Sequence, residues 1–215
     1  MLIIGAKGFA KEVLEVLHQL NQINDLVFYD DVNDDIPDEI YAEFKVLKNE
    51  AQAKSYFSTV DAKFTVGIGN PVLRKKLCKK FTALGGIFTS TISPLAQIGH
   101  YGNQIGVGSN IMTGVVITND VIINEGVLIN LNCTIGHDTV IGAYVEMSPG
   151  VHISGNCKIG DYCVLGTNVS VLPKVILGKN VVVGAGAVVT KNIPDNCLVM
   201  GIPAVIKKEL PEIEF

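Results

Sequence analysis

Four histidines occur in the 215 residues, and one of them, His137, is followed directly by a carboxylate, Asp138, in the stretch Asn130-Leu131-Asn132-Cys133-Thr134-Ile135-Gly136-His137-Asp138. A neutral imidazole, with an ordinary pKa of about 6.5, is a suitable general base near neutral pH, and an adjacent carboxylate can fix its tautomer and raise its basicity. Such a pair suits removal of a proton from an attacking amine or hydroxyl. Residue types alone leave a second reading open, that of a solvated polar corner. His152 adjoins an inward-facing position, His100 falls at an irregular segment, and His18 lies on the polar face of a helix. The five cysteines (Cys78, Cys133, Cys157, Cys163, Cys197) form no C-x-x-C pair and no even framework, which argues against a zinc site or a disulfide scaffold.

The element that must carry His137 is a repeat. Every sixth residue from Ile105 to Val189 is apolar, through Ile111, Ile117, Ile123, Ile129, Ile135, Ile141, Met147, Ile153, Ile159, Leu165, Val171, Leu177 and Val183. Four places after each stands a small or β-branched residue, such as Ser109, Val127, Cys133, Thr139, Cys157, Cys163 and Ala187, so three of the cysteines read as buried packing groups rather than nucleophiles. A period of six fits neither a helix nor a simple strand alternation, but it fits short strands meeting at repeated corners. Roughly eighteen residues would then complete a triangular turn, with turns stacked about 4.8 Å apart. Gly136, Gly142, Gly160, Asn168 and Gly178 are expected to supply positive φ at the corners. His137, just after Ile135-Gly136, should project outward. Ile92 and Ile98 keep the period offset by one residue, so Tyr101-Gly102-Asn103 is expected to bulge. After Val189 the pattern decays through Ile193-Pro194-Asp195-Asn196 into Val199–Ala204 and a polar, acidic tail.

Residues 1–86 lack the period and read as strand, helix, strand, helix, strand, helix, an α/β unit. Leu2-Ile3-Ile4 is a buried strand, Gly5-Ala6-Lys7-Gly8 a turn, and Val13, Leu14, Leu17 and Leu20 recur at helical spacing. Leu26–Tyr29 is a second strand ending in Asp30-Asp31, and Phe64–Ile68 a third. Gly69-Asn70-Pro71 then leads into a basic helix from Val72 to Leu84, with Gly85-Gly86 as the linker. A strand, a Gly-containing turn and a helix present free N–H groups suited to a phosphate, and an acid after the next strand suits a ribose or base. Lys7 replaces the second glycine of the dinucleotide fingerprint, so NAD is not indicated, and a purely structural turn remains open.

Composition narrows the partners. With 17 basic and 21 acidic residues, a net charge of −4 and no basic cluster interleaved with aromatics, neither nucleic acid nor an anionic membrane is expected. Neither a signal peptide nor a window approaching about eighteen apolar residues is seen, so no membrane insertion and a cytoplasmic location are expected.

The turn and helix Gly5-Ala6-Lys7-Gly8-Phe9-Ala10-Lys11-Glu12-Val13, the strand end Phe28-Tyr29-Asp30-Asp31, Ile68-Gly69-Asn70, the hexad array and the terminal Gly201-Ile202-Pro203-Ala204 together resemble the hexapeptide-repeat acyltransferases. Within them the chain is similar to the bacterial nucleotide-amino-sugar N-acetyltransferases and the related sialic-acid O-acetyltransferases. The resemblance implies a Rossmann-like nucleotide-sugar-binding domain over residues 1–86 and a left-handed parallel β-helix with its tail over 87–215. It further implies a homotrimer with active sites between adjacent β-helices, and acetyl-CoA as co-substrate without a metal. The catalytic base would be His137, oriented by Asp138. Acetyl-CoA contacts would fall near Glu146, Gly155, Thr167 and Ala185, and nucleotide-sugar contacts at Lys7, Gly8, Phe9, Asp30, Asp31 and Gly69. Two positions depart from the family pattern: Phe9 stands where many members have His in the Gly-rich turn, and Glu146 where relatives carry a second His. The γ-class carbonic anhydrases share the β-helix but need an H-x4-H pair, which is absent here. The expected reaction is N-acetylation of a nucleotide-linked amino sugar for glycan biosynthesis, the alternatives being O-acetylation of a sialic-acid-type sugar or a non-catalytic scaffold.

Overall fold

A computed structural model describes residues 1–214. The chain forms an N-terminal α/β layer structure followed by a left-handed parallel β-helix. In the first part, β1 (Leu2–Ile4) leads into α1 (Gly8–Gln19), β2 (Val27–Tyr29), a short β3 (Glu39–Ile40), β4 (Phe44–Leu47), α2 (Glu50–Thr59), β5 (Lys63–Val66), α3 (Pro71–Ala83) and β6 (Ile87–Phe88). The sheet order is β3-β4-β2-β1-β5-β6, parallel except for the edge strand β3. Helix α1 covers one face through Val13, Leu14 and Leu17 against Ile3 and Phe28. Helices α2 and α3 cover the other, where Phe57, Phe64 and Phe81 cluster with Leu2 and Tyr29.

Two features depart from the expected strand–helix alternation. The β3–β4 hairpin inserts between β2 and α2, its strands too short to register as a hydrophobic period. The expected third strand ends at Val66; the Gly67 N–H still donates to the Ile4 carbonyl (2.8 Å), and its missing side chain lets α1 approach, since a Cβ there would lie 2.6 Å from Ala10. Gly85-Gly86 feeds directly into β6, the sixth strand of the sheet.

From Thr91 to Val189 the chain runs through seventeen two-residue strands, one per hexad. They stack into three faces. The first carries Asn110, Leu128, Glu146 and Val164 outward, the second Val116, Thr134, His152 and Ser170, and the third Ile122, Val140, Lys158 and Ile176. The six-residue apolar column fills the interior with Cys133, Cys157 and Cys163, all fully buried. Strand partners such as Thr134 and His152 differ by one rung, whereas Gln97 pairs with Val116. The expected bulge at 101–103 is therefore a single inserted residue. Asn103 closes it, donating through Nδ2 to the carbonyls of Gly99 and Thr118 and accepting from the Val121 N–H.

The corner glycines do a different job from the one expected. Positive φ falls on Asp120, Asn132, Asp138, Tyr144, Asn156, Tyr162, Asn168, Lys174 and Asn180, spaced by six, with glycines completing the column. Of the residues expected there, Asn168 alone adopts it. Gly136, Gly142, Gly160 and Gly178 are instead required by close stacking: a Cβ on Gly136 would lie 2.6 Å from the Gly155 nitrogen in the next rung. Past the decaying hexads, Cys197–Met200 continues the first face by pairing with Val182–Val183, and Val205–Glu209 folds back on it antiparallel.

The α/β part docks on the first face. Val16 of α1 packs on Met112 and Leu128. Asn110, buried, accepts from the hydroxyls of Thr65 (3.0 Å) and Thr91 (2.6 Å) and donates to the Val66 carbonyl (2.9 Å). Gln19 hydrogen-bonds Thr113 and Ser93.

Candidate active site

His137 sits on the corner between the second and third faces, one residue beyond the strand Thr134–Ile135 and Gly136. The rung register fixes its backbone: its carbonyl accepts from the Asn156 N–H below (2.8 Å), and the Asp138 N–H donates to the Asn119 carbonyl above (3.3 Å). Asp138 adopts φ 57°, a left-handed conformation that a short polar side chain tolerates. Its carboxylate lies 2.7 Å from His137 Nδ1. A proton on Nδ1 shared with this carboxylate leaves Nε2 as the free lone pair. Both side chains are exposed.

One rung is eighteen residues, so Gly155 lies directly beneath His137. A Cβ there would meet the imidazole at 2.7 Å from Nε2 and 2.9 Å from Cε1. The missing side chain is what lets the ring lie over the corner. The Gly155 carbonyl accepts from Lys174, while among the described residues its N–H has no acceptor. A base with a free nitrogen thus stands beside a free backbone donor, the combination that acyl transfer uses.

The other expected acetyl-CoA residues divide. Thr167 and Ala185 are stacked one rung apart on the corner between the first and second faces, so they and Gly155 flank the two edges of the second face. Glu146 lies elsewhere, on the first face against the docked α/β part, where a Cβ on Gly69 would be 3.2 Å from its Oε1. Burial holds its carboxyl above the ordinary range, with the Arg74 cation opposing. The structure brings Glu146 together with Gly69, a residue expected on the sugar side.

In the α/β sheet the chain builds outward from β1 through β2 to β4, then crosses back to β5. Such a reversal opens a crevice at the carboxyl ends of β1 and β5. Lys7 and Gly8 on one side and Gly69 on the other are the residues that flank it. The N-terminus of α1 has no side-chain cap. A cavity of about 480 Å³ opens beside it, lined by Lys7, Gly8, Lys11, Asp35, Ile36 and Tyr41 among others. Lys7 Nζ pairs with Asp35 at 3.0 Å, and Phe9 packs inward against α1 and the coil rather than into the cavity. Asp30 is buried and its carboxylate is used locally, accepting from the Val32 and Asn33 N–H groups and from Asn33 Nδ2. Asp31 is engaged by the Tyr29 hydroxyl (2.8 Å) and Lys80 (3.3 Å), which hold its carboxyl below the ordinary range despite burial.

His152 lies on the second face with Nδ1 2.9 Å from the Thr134 hydroxyl. Among the described residues no group of three or more His, Cys, Asp or Glu is placed to share a metal ion. No helix is long and apolar enough to cross a membrane. Sequence reasoning missed Arg74, which is fully buried yet donates to carbonyls of both parts of the molecule. A signal was available: it is the one arginine among 17 basic residues.

Residues 1–81 match the family model described as the PglD N-terminal domain. Residues 132–173 match the hexapeptide repeat of succinyl-transferase, and residues 156–191 the bacterial transferase hexapeptide. No curated protein sequence matches the chain. Among solved structures, the acetyltransferase domain of PglB from Neisseria gonorrhoeae FA1090 in complex with acetyl coenzyme A is 31% identical with a TM-score of 0.87, over 96% of this chain and 98% of that one. WeeI from Acinetobacter baumannii AYE is 30% identical, with a TM-score of 0.87 over 96% and 98%. A mutant of perosamine N-acetyltransferase from Caulobacter crescentus, in complex with CoA and GDP-perosamine, is 28% identical with a TM-score of 0.87 over 97% and 96%.

Proposed function

We propose that this chain, which belongs to the hexapeptide-repeat acyltransferase family, transfers the acetyl group of acetyl-CoA to the amine of a nucleotide-linked amino sugar in glycan biosynthesis. The observation that carries the reading is the His137–Asp138 pair, with its free Nε2 lying over a residue that has no side chain. The Caulobacter relative holds CoA and GDP-perosamine, and the Neisseria relative acetyl-CoA.

Acetyl-CoA supplies an acyl group activated as a thioester. The chain's own residues fit it: Gly155 offers a backbone N–H with no acceptor beside the His137 ring, and Thr167 and Ala185 line the neighbouring edge with small side chains. His137 Nε2 removes the proton as the sugar amine attacks the thioester carbonyl, and Asp138 holds the ring and offsets the positive charge it gains. The imidazolium returns that proton to the CoA sulfur as the C–S bond breaks and the free thiol leaves. The Gly155 N–H donates to the oxygen on which negative charge develops. Lys7, Gly8 and Gly69, around the switch-point crevice, hold the nucleotide sugar, with Phe9, Asp30 and Asp31 shaping its surroundings.

Within one chain the α/β part docks on the first face while His137 occupies the opposite corner of the triangular coil. A sugar held by the α/β part therefore reaches the His137 of a neighbouring copy, which supports a homotrimer with sites between adjacent coils. A cytoplasmic location fits five free cysteines, four of them buried and unpaired.

The test is thiol release from acetyl-CoA with a panel of UDP-, dTDP- and GDP-linked 3-amino and 4-amino sugars plus free sialic acid, with His137→Ala in parallel. Release with an amino sugar, lost in the variant, supports the proposal. Release with sialic acid alone moves the chain to O-acetylation. Near wild-type turnover by an intact His137→Ala protein refutes the assigned base.

A further inference from the structure

We infer that Arg74 is a positioning residue for the sugar-side subsite, orienting the Gly69 and Asn70 backbone N–H groups toward substrate by holding the carbonyls behind them. This rests on the proposed nucleotide-sugar reading and names a residue that reading does not use.

Arg74 lies in the first turn of α3 and is 1% exposed. Its guanidinium has five N–H groups in a planar fork, and five carbonyls receive them. Nε donates to Gly126 (2.9 Å), and Nη2 to Tyr144 (2.9 Å) and Val145 (3.1 Å), all on the coil. Nη1 donates to Ile68 (3.2 Å) and to Gly69, in the turn after β5. One side chain thus ties two successive rungs to the crevice at the end of β5.

In a trans peptide the C=O and N–H point in opposite directions. Drawing the Ile68 and Gly69 carbonyls inward turns the N–H groups of Gly69 and Asn70 outward. Among the described residues neither N–H has an acceptor. Glu146 flanks Gly69, its Oε1 lying 3.2 Å from where a Cβ on that residue would be, and its carboxylate favours the Arg74 cation electrostatically. The turn is held by Arg74 and flanked by Glu146, with two donors left for a ligand in the crevice. Lysine, whose three donors radiate from one point, cannot reproduce a fork that spans two structural elements, although the other 16 of the chain's 17 lysine and arginine residues are lysine.

The experiment compares wild type with Arg74→Lys and Arg74→Met in thiol-release kinetics, using the panel sugar that the wild type acetylates, with melting curves for each protein. The expected result is a rise of about tenfold or more in KM for the sugar, with kcat and KM for acetyl-CoA within about threefold of wild type. An unchanged sugar KM, or equal loss in both KM values and kcat, makes Arg74 an ordinary structural residue and overturns the inference. Amide hydrogen exchange on the wild-type protein, with and without UDP or GDP-linked 4-amino sugar, reads the same donors without any variant. Slowed exchange at Gly69 and Asn70 supports the inference, and unchanged exchange there overturns it. Absence of turnover with every sugar would instead defeat the acetyltransferase proposal, leaving the exchange result to decide the role of Arg74.

Discussion

Replacing Gly155 by alanine adds one methyl group where it matters most. That carbon would stand 2.7 Å from His137 Nε2, 2.9 Å from Cε1 and 3.1 Å from Cδ2, whereas ordinary contact begins at 3.4 Å. The ring must retreat by about 0.7 Å, taking Nε2 off its line toward the attacking amine. A displacement of about 1 Å at a reacting group costs on the order of 100-fold in rate, so a loss of about 10- to 100-fold in kcat is expected. The backbone should accept the change, because the φ of Gly155 is not left-handed and the Gly155 N–H is retained. Steady-state thiol release with the accepted amino sugar measures the effect, and a melting curve within a few degrees of wild type shows the fold intact. Gly136→Ala is the matched control: its Cβ would press on backbone atoms of Ser154 and Gly155, which cannot swing aside, so it should lose stability. A Gly155→Ala protein with kcat within threefold of wild type would refute the idea that the bare corner positions the base.

Three further outcomes follow from other parts of the molecule. Asn110→Ala strips the buried Thr65 and Thr91 hydroxyls of their shared acceptor and Val66 of its donor; a loss of about 2–3 kcal/mol is expected in denaturant unfolding. Burial holds the Glu146 carboxyl above its ordinary range, so its ionisation weakens the fold as pH rises through the folded value. Glu146→Gln should therefore raise the melting temperature at pH 8 and change it little below about pH 4, where the carboxyl is protonated folded or unfolded; a pH-independent shift would contradict this. Burial pushes the Cys133 thiol up to about 11 and Cys163 up to about 12. An aromatic disulfide reagent at pH 8 should thus reach Cys78, the one cysteine that is not buried, well before the coil thiols, which should react only after denaturation.

The coil was legible because its core is written as a strict period: each hexad places one aliphatic and one small residue inward, and the same count puts His137 on a corner. The corner chemistry was legible only in part. Glycine can serve either left-handed φ or close approach, and sequence does not separate these; the coil assigns the first to residues such as Asp138 and Tyr144 and the second to Gly136 and Gly155. Asp30 and Asp31 were visible as a strand-end acidic pair, but their engagement with Asn33, Tyr29 and Lys80 depends on a loop and a distant helix. Beyond the hint of a single arginine, the roles of Arg74 and Asn110 stayed hidden because most of the carbonyls and hydroxyls they bind lie dozens of residues away and leave no pattern in side-chain type.

The fixed register makes the coil a ruler with coarse divisions. A residue's position within an eighteen-residue turn sets which face it addresses, and the turn number sets its height in steps of about 4.8 Å. Adding or removing a whole turn between the docking face at Asn110 and the corner at His137 would slide the base along the axis without rotating it. A one-residue change would send every later side chain to a wrong address unless it were absorbed locally, as Asn103 absorbs one in the first turn. The separation between sugar holder and base is thus adjustable only in whole rungs, and finer fitting falls to the docked domain and the bonds that seat it.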